Sequence, residues 1–435
     1  MAGEIFQINY ENRDILNALR CHPEIEKTVL AKELNIAFKT LNKQLEFLEQ
    51  SGFISMSPQL EIVKDRFYMC GISVGGSHCK LTLVNAQYKV ISAEDMDKLC
   101  NKYGVFQQSF FVHRKNTREY GYKYFDTPDN LATLETYINE IIQDIIKLDD
   151  LSRTSGAGEL PPIISIGIAL TGSIDLKKQI IIRSHNVRYL KNIKKEILLW
   201  PDTRYELKKR NIELIIDHNA KAMAVCEKFS LYHSDNKNHE YAGKKNIACF
   251  YLGSGISCGL ILNNRVIRGA RNFSGELGHI QIPRMPEFEG DALPKERCTC
   301  GRMYCMEHLL IWDVLGMSRD EFRKITSEEI KEKINELQIH NPEEYQKRMR
   351  ALGYYVGWAV DLVTKLLNVD LIIFSGKITC FIERAWSYLK PAAGDLDYAQ
   401  VDCPMILFRY EALAPSVGAA ILSTYPSGAM VEWVI

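Results

Sequence analysis

The chain has 435 residues, and its 54 basic and 54 acidic side chains cancel. With 46% hydrophobic and 25% charged residues, the composition is typical of a globular protein, and the length predicts two or three domains. Zero net charge excludes a globally basic nucleic-acid binder. The sequence contains no run of about 20 apolar residues, the length that a membrane-spanning helix needs.

The N-terminal stretch MAGEIFQINYENRD lacks the charged-then-apolar pattern of a secretion signal. The 12 cysteines are spread over the whole chain, at a density far below that of a small disulfide scaffold. We therefore expect a cytoplasmic protein with reduced thiols and no membrane partner.

Residues 1–66 have the pattern of a small helical unit followed by two short strands. Apolar side chains recur at helical spacing in YENRDILNALR, EKTVLAKELN and IAFKTLNKQLEFLEQSG, and the third helix is expected to stop at Gly52. FISMSP and LEIVKDRF are short strand candidates. Three helices and a two-stranded ribbon predict a winged helix-turn-helix, whose third helix enters the DNA major groove.

The outward face of that third helix carries side chains that are able to contact phosphates or base edges. They are Lys39, Thr40, Asn42 and Lys43. Residues 1–64 contain seven basic and nine acidic side chains, and this net charge is unfavourable for DNA binding. A protein-interaction adaptor therefore remains an alternative for this unit.

After Phe67 the pattern changes to alternating strands and helices. Two segments each predict a strand, a glycine-rich turn and a second strand, which suggests two related lobes. They are YMCGISVGGSHCKLTLVN and NIACFYLGSGISCGLIL. Paired glycines allow close approach to a phosphate, although a plain hairpin turn explains them equally well. Two more strands end in polar residues, IISIGIALTGSID and IELIIDHNAKAMAVCEKF, as ligand-binding strands of α/β sheets do.

The stretch CTCGRMYCME, residues 298–307, packs three cysteines and a carboxylate into ten residues. Disulfides, reactive thiols and metal ligands are all open from the residues alone. In a reducing compartment, closely spaced cysteines are more often metal ligands than disulfides.

Taken in order, these segments resemble the ROK family of repressors and sugar kinases, within the actin-like ATPase superfamily. The resemblance covers residues 67 to about 425. Its most specific parts are GELGH at residues 275–279 and the pattern C-x-C-G-x-x-G-C-x-E from Cys298 to Glu307, in which Tyr304 replaces the last glycine. Weaker matches are SVGGS at 73–77, TGSID at 171–175, DHNAKAMA at 217–224 and GSGISCG at 253–259.

The resemblance implies a two-lobed α/β sugar-kinase fold of the actin-like, ribonuclease H-like type, preceded by an all-α winged helix-turn-helix. The implied domains are residues 1–66, a first lobe at 67–216 and a second lobe with a zinc site at 217–416. A C-terminal helix at about 417–435 is expected to pack back on the first lobe.

The family pattern also implies specific sites in this chain. The implied sugar-binding residues are Asn186, Asn219, Glu276, His279 and Glu307. The implied structural zinc ligands are His279, Cys298, Cys300 and Cys305. The glycines of the vestigial phosphate loops are Gly75, Gly76, Gly253 and Gly255.

The sequence departs from the family's kinases where their chemistry is done. Asn219 stands at the position of the catalytic Asp, and Ser73 replaces the Asp near Mg²⁺. Losing a general base alone typically costs 10²–10⁴-fold in rate, so we expect no catalytic residue and no use of ATP or Mg²⁺. An active glucokinase or N-acetylhexosamine kinase, with Asp217 or Asp175 as substitute base, is the alternative.

A winged helix before such a body is the arrangement of the family's repressors. The expected function is therefore a sugar-responsive transcriptional repressor of carbohydrate metabolism genes. Its partners would be operator DNA and a sugar or sugar-phosphate effector, and the assembly would be a homodimer or homotetramer.

Overall fold

The computed structural model describes residues 10–112, 120–154, 160–184, 186–233, 236–253, 255–291, 297–298, 300–392, 403–408 and 413–424. The last eleven residues of the expected C-terminal helix, 425–435, lie outside these ranges. Among the described helices, none is long and apolar enough to span a membrane.

The N-terminal unit consists of three helices and an antiparallel two-stranded ribbon. Its third helix buries Leu41, Leu45 and Leu48, the spacing that places side chains on one face. The chain leaves this helix through Gly52, whose φ of 71° favours glycine. The elements are α1 (Tyr10–Cys21), α2 (Lys27–Glu33), α3 (Phe38–Gln50), β1 (Ile54–Ser55) and β2 (Glu61–Ile62).

A first five-stranded sheet follows, with strand order β10-β6-β3-β4-β5. Strands β10, β6 and β3 are parallel neighbours, whereas β3, β4 and β5 pair antiparallel. The strands are β3 (Tyr68–Val74), β4 (His78–Asn85), β5 (Tyr122–Asp126), β6 (Ile163–Leu170) and β10 (Glu213–His218). A small three-stranded sheet and three helices complete this first lobe. The strands are β7 (Ser173–Asp175), β8 (Ile180–Arg183) and β9 (Lys191–Lys194). The helices are α4 (Ala93–Tyr103), α5 (Leu131–Thr154) and α6 (Pro201–Lys209).

The second five-stranded sheet repeats this pattern of pairing, with strand order β15-β14-β11-β12-β13. Two parallel pairs again precede two antiparallel pairs, so the two lobes suggested by the repeated strand-turn-strand segments share one topology. The strands are β11 (Ile247–Leu252), β12 (Ile256–Leu262), β13 (Arg265–Val266), β14 (Leu371–Ser375) and β15 (Met405–Leu407). Between β13 and β14 lie the helices α8 (Met306–Leu309), α9 (Arg319–Lys324), α10 (Ser327–His340) and α11 (Pro342–Leu367), and between β14 and β15 lie α12 (Thr379–Ile382) and α13 (Trp386–Ala392).

Two buried helices, α7 (Asn219–Ser230) and α14 (Ala414–Leu422), lie between the two sheets and pack against each other. Helix α14 also contacts β3 and β6, and α7 contacts β11 and β12. A Cβ atom on Gly418 would lie 1.7 Å from the Ala222 carbonyl oxygen, and one on Gly259 would lie 2.1 Å from that of Ala220. Glycine at these positions lets the backbones touch, which fixes α7 firmly in the centre of the molecule.

The winged unit packs directly against the body and shares one hydrophobic core with it. The Arg20 guanidinium donates to the Ala86 carbonyl at 2.9 Å and lies 3.9 Å from the centre of the Tyr88 ring. The His22 ring meets Tyr232, just after α7, edge to face at 5.5 Å. The DNA-binding unit is therefore held against the first lobe and the C-terminal end of α7.

Candidate functional site

Several elements converge on one cavity between the lobes, which is open to solvent on one side. Strand β10 ends at His218, where α7 begins, and β12 begins at Ile256 on the facing side. All five predicted sugar-binding residues lie in its wall. The lining is Thr171, Gly172, Asn186, His218, Asn219, Tyr251, Gly255, Ile256, Ser257, Glu276, His279, Glu307 and Arg319.

Asn219 lies in the wall of this cavity. The side chain is only 5% exposed, and its Oδ1 accepts no hydrogen bond from the residues that the structure describes. A buried polar atom left in that state costs about 1–3 kcal/mol, and a ligand hydroxyl in the cavity would satisfy it. The site is therefore built to receive a hydrogen-bonding ligand.

Glu276 is fixed between two histidines. Its Oε1 lies 3.4 Å from Nε2 of His218, and its Oε2 lies 4.0 Å from Nε2 of His279. His218 accepts from the Ala220 N–H through Nδ1 at 3.1 Å, so its Nε2 carries the proton that faces Glu276. Burial opposes the charge on Glu276, but the His218 hydrogen bond and nearby positive charge outweigh it and lower the pKa of Glu276. Glu276 is thus a fixed hydrogen-bond acceptor in the cavity wall.

Glu307 and Asn186 are both engaged by arginines of α9. Glu307, 3% exposed, accepts from the Ile256 N–H at 2.8 Å and forms an ion pair with Arg319. The Arg323 guanidinium donates to Asn186 Oδ1 at 3.2 Å. These arginines were not singled out from the sequence. The stretch SRDE, which forms a capping box at Ser318 and Glu321, was the one local signal for this helix.

The four predicted zinc ligands form one cluster. One ligand atom from each of His279, Cys298, Cys300 and Cys305 lies within 4.8 Å of all the others. Nδ1 of His279 is 3.3 Å from Cys298 Sγ, and the sulfurs of Cys300 and Cys305 are also 3.3 Å apart. Ligand atoms around tetrahedral zinc with three sulfurs are roughly 3.8 Å apart, so this set fits the ion.

The environment of Cys298 favours a thiolate, the form that binds metal. Burial alone raises the pKa of the Cys298 thiol, but hydrogen bonds from His279 and from the Cys300 backbone prevail and lower it to about 6. Because His279 uses Nδ1 towards the sulfurs, its Nε2 is left towards Glu276. A carboxylate beside the second nitrogen of a ligand histidine orients the ring.

Backbone hydrogen bonds join the two segments of the cluster. The Ile282 N–H donates to the Tyr304 carbonyl at 3.1 Å, and the Met306 N–H donates to the Ile280 carbonyl at 2.9 Å. Tyr304, which replaces the family's glycine, has a φ of 60°. This left-handed conformation is strained for a residue with a Cβ atom.

In the predicted phosphate loops, other groups of the protein pack closely against Gly75 and Gly253. Gly75 accepts from the Thr127 hydroxyl at 2.9 Å and its N–H bonds to the His78 carbonyl, so this turn is a tight hairpin. A Cβ atom on Gly253 would lie 2.3 Å from the Tyr251 ring, which packs on the second loop. Gly76 lies in the first turn, half-buried, and Gly255 lines the cavity.

Neither candidate substitute base lines the cavity. Both carboxylate oxygens of Asp217 accept from the Arg268 guanidinium at 2.8 Å, and both residues are buried. Asp175 accepts from the Lys178 N–H at 3.0 Å and is not part of the cavity wall.

The predicted DNA-contact residues lie on the free face of α3. Lys39, Thr40 and Lys43 are exposed, and Asn42 is half-buried. Their face is opposite the one that packs on the rest of the winged unit.

Comparison with known proteins assigns the chain. A family model described as ROK family matches residues 124–404, which is more than half of the chain, and one described as winged helix-turn-helix DNA-binding matches residues 12–55. The chain belongs to the ROK family. Among its relatives in this family, a xylose repressor of Bacillus subtilis is 26% identical over 295 residues, which cover 67% of each protein. A glucokinase of Halalkalibacterium halodurans is 22% identical over 50% of this chain and 62% of its own length.

Solved structures of other ROK proteins have the same fold. A ROK family transcriptional regulator, described as a homologue of the E. coli MLC protein, superposes with a TM-score of 0.59 at 18% identity, over 96% of this chain and 97% of that one. A ROK family glucokinase from Streptomyces griseus, solved with glucose and AMPPNP, gives 0.53 at 17% identity over 82% and 99%. This ROK chain therefore has a winged helix-turn-helix joined to the actin-like sugar-kinase fold.

Proposed function

We propose that this protein is a sugar-responsive transcriptional repressor of carbohydrate metabolism genes. The observation that carries the proposal is the position of helix α7. Its first residue, Asn219, lies in the wall of the cavity, and the chain just beyond its last turn, at Tyr232, contacts the winged unit. Twelve residues of helix span about 18 Å, so one rigid element joins ligand to DNA-binding unit.

The contact at the far end of α7 is specific. Besides the ring contact between His22 and Tyr232, the Lys228 ammonium lies 4.7 Å from the centre of the Tyr232 ring and donates to the Ala242 and Lys244 carbonyls. A sugar that binds one position of α7 better than another would therefore shift the winged units as well. In a homodimer or homotetramer, this shift would change the spacing of two recognition helices relative to their half-sites.

The relatives support a repressor more than a kinase. The B. subtilis relative is named a xylose repressor, and the regulator structure is matched over more of this chain than the glucokinase structure is. Asn219 occupies the position where the resemblance puts the catalytic base, and an amide is not a base. Asp217, the nearest carboxylate in the chain, is held by Arg268 and does not line the cavity, which also speaks against a base at this position.

The effector is a sugar or sugar derivative held by Asn186, Asn219, Glu276, His279 and Glu307. Zinc held by His279, Cys298, Cys300 and Cys305 would fix the segment that carries Glu276 to the turn before Glu307. The ion would supply structural cross-linking there. Lys39, Thr40, Asn42 and Lys43 would contact the operator.

A gel-shift titration tests the proposal. The protein is titrated onto its own upstream DNA with and without D-xylose, D-glucose and N-acetyl-D-glucosamine. We expect operator binding that one sugar changes by at least tenfold. The variant Tyr232→Leu should keep sugar affinity and lose that response, and Tyr205→Leu, on an exposed tyrosine, is its control. Sugar-dependent ATP turnover at an ordinary kinase rate, without operator binding, would refute the proposal.

A further inference from the structure

Helix α9 is a short, firmly anchored element of the second lobe. Its N-terminus carries a capping box, in which Ser318 and Glu321 satisfy each other's backbone N–H groups. At its C-terminal end, the Lys377 ammonium donates to the carbonyl of Phe322 and to that of Ile325, the latter at 3.1 Å. Two arginines on this anchored helix point towards the cavity.

These arginines engage two of the five predicted sugar-binding residues. Arg319 forms the ion pair with Glu307, and Arg323 donates to Asn186 Oδ1. The two side chains are only 15% and 12% exposed. Part of the polar surface that a sugar needs is therefore already hydrogen-bonded to α9.

Helix α9 also spans the cleft between the lobes. Asn186 belongs to the first lobe, as does Ser77 in the turn between β3 and β4, and the Ser77 hydroxyl donates to the Arg323 backbone carbonyl. Side chain and backbone of Arg323 thus tie the second lobe to the first. A change at Asn186 reaches this tie directly, and a change at Glu307 reaches the same helix through Arg319.

We propose that the guanidinium groups of Arg319 and Arg323 compete with the effector for Asn186 and Glu307. This competition sets the effector affinity and couples effector binding to lobe closure. A sugar that hydrogen-bonds to Asn186 and Glu307 displaces the guanidinium groups, and their release loosens the link between α9 and Ser77. The inference rests on the proposed function, because it assumes that this cavity takes a sugar. It makes the contacts of α9 with the first lobe a second response to the effector, beside the shift of α7.

The electrostatic surroundings of Arg323 are consistent with a displaceable contact. Burial and, next, repulsion from Arg319 lower the pKa of Arg323 below its ordinary value. The Asp320 carboxylate at 3.5 Å offsets this only partly, because it is 73% exposed. Burial and the neighbouring positive charge thus both oppose the charged guanidinium at this position.

The variant Arg323→Met tests the competition, because it keeps side-chain length and removes the donors. We expect each sugar that wild type binds, from D-xylose, D-glucose and N-acetyl-D-glucosamine, to bind the variant about three- to tenfold tighter by calorimetry. Ser77→Ala, which removes the second tie and leaves the cavity wall intact, should act in the same direction. Arg350→Met is the matched control, because Arg350 pairs with Glu287 at the surface.

Hydrogen exchange provides a readout that needs no sugar. Amides of residues 316–325 should exchange faster in Arg323→Met and Ser77→Ala than in wild type and in Arg350→Met. The proposed competition would be refuted if hydrogen exchange were unchanged in Arg323→Met. It would also be refuted if the sugar affinity of Arg323→Met stayed the same or fell. If no sugar and no operator binds wild type while exchange rises as expected, the proposed function fails and the tie between the lobes stands.

Discussion

Replacing Asn219 by leucine separates a ligand-binding role from a structural one. The side chains are similar in size, and Asn219 Oδ1 is buried without a hydrogen bond from the described residues. Removing such an atom relieves a cost of about 1–3 kcal/mol, so the free energy of unfolding without sugar should stay the same or rise. The ligand loses the same hydrogen bond, and sugar affinity should fall about 5- to 150-fold.

Calorimetric titration with the sugar that changes operator binding measures the affinity, and urea unfolding measures the stability. Asn101→Leu, on an exposed position of α4, is the matched control and should change neither by much. A variant that binds sugar with wild-type affinity would refute the assignment of Asn219 to the sugar site. A fall of more than about 1 kcal/mol in the free energy of unfolding would show that the amide stabilises the fold.

Three further changes have defined outcomes. Cys300→Ser should lower zinc content and sugar affinity together, whereas Cys380→Ser, also on an exposed cysteine, should lower neither; zinc loss with unchanged sugar affinity would separate the two sites. Tyr304→Gly should raise the free energy of unfolding by about 0.5–1 kcal/mol in chemical denaturation, because it relieves a left-handed φ; a loss of stability would show that the Tyr304 ring contributes more than the strain costs. Lys43→Ala should reduce the slope of log affinity for operator against log salt by about 0.9, and Lys365→Ala, far from α3, should leave the slope unchanged.

The parts of the molecule that carry strong local patterns were predictable from the sequence. Helix α3 follows from its apolar spacing and Gly52, and its boundaries agree with the expectation. The cysteine spacing from Cys298 to Cys305 and the GELGH stretch led to the four-residue cluster that the structure brings together. The roles of these residues, the DNA contacts and the exact domain boundaries stay predictions.

The contacts that were missed join residues far apart in the chain. Arg323 meets Asn186 across 137 positions, and His218 meets Glu276 across 58. No periodicity reports which side chain faces a cleft that forms only when two lobes assemble. The arginines stand in a charged segment, SRDEFRK, and charged helices are usually solvated. Three-dimensional packing decided their place instead.

The winged unit shares a hydrophobic core with the body, and this has a consequence for protein engineering. A chimeric regulator, made by joining this winged unit to the sensor of another ROK repressor, would inherit operator choice through α3. It would not inherit the response to sugar unless the sensor of the other repressor also supplied counterparts of Tyr88 and Tyr232, against which Arg20 and His22 pack. Exchange of sensors between such regulators therefore has to carry the docking surface along with the DNA-reading helix.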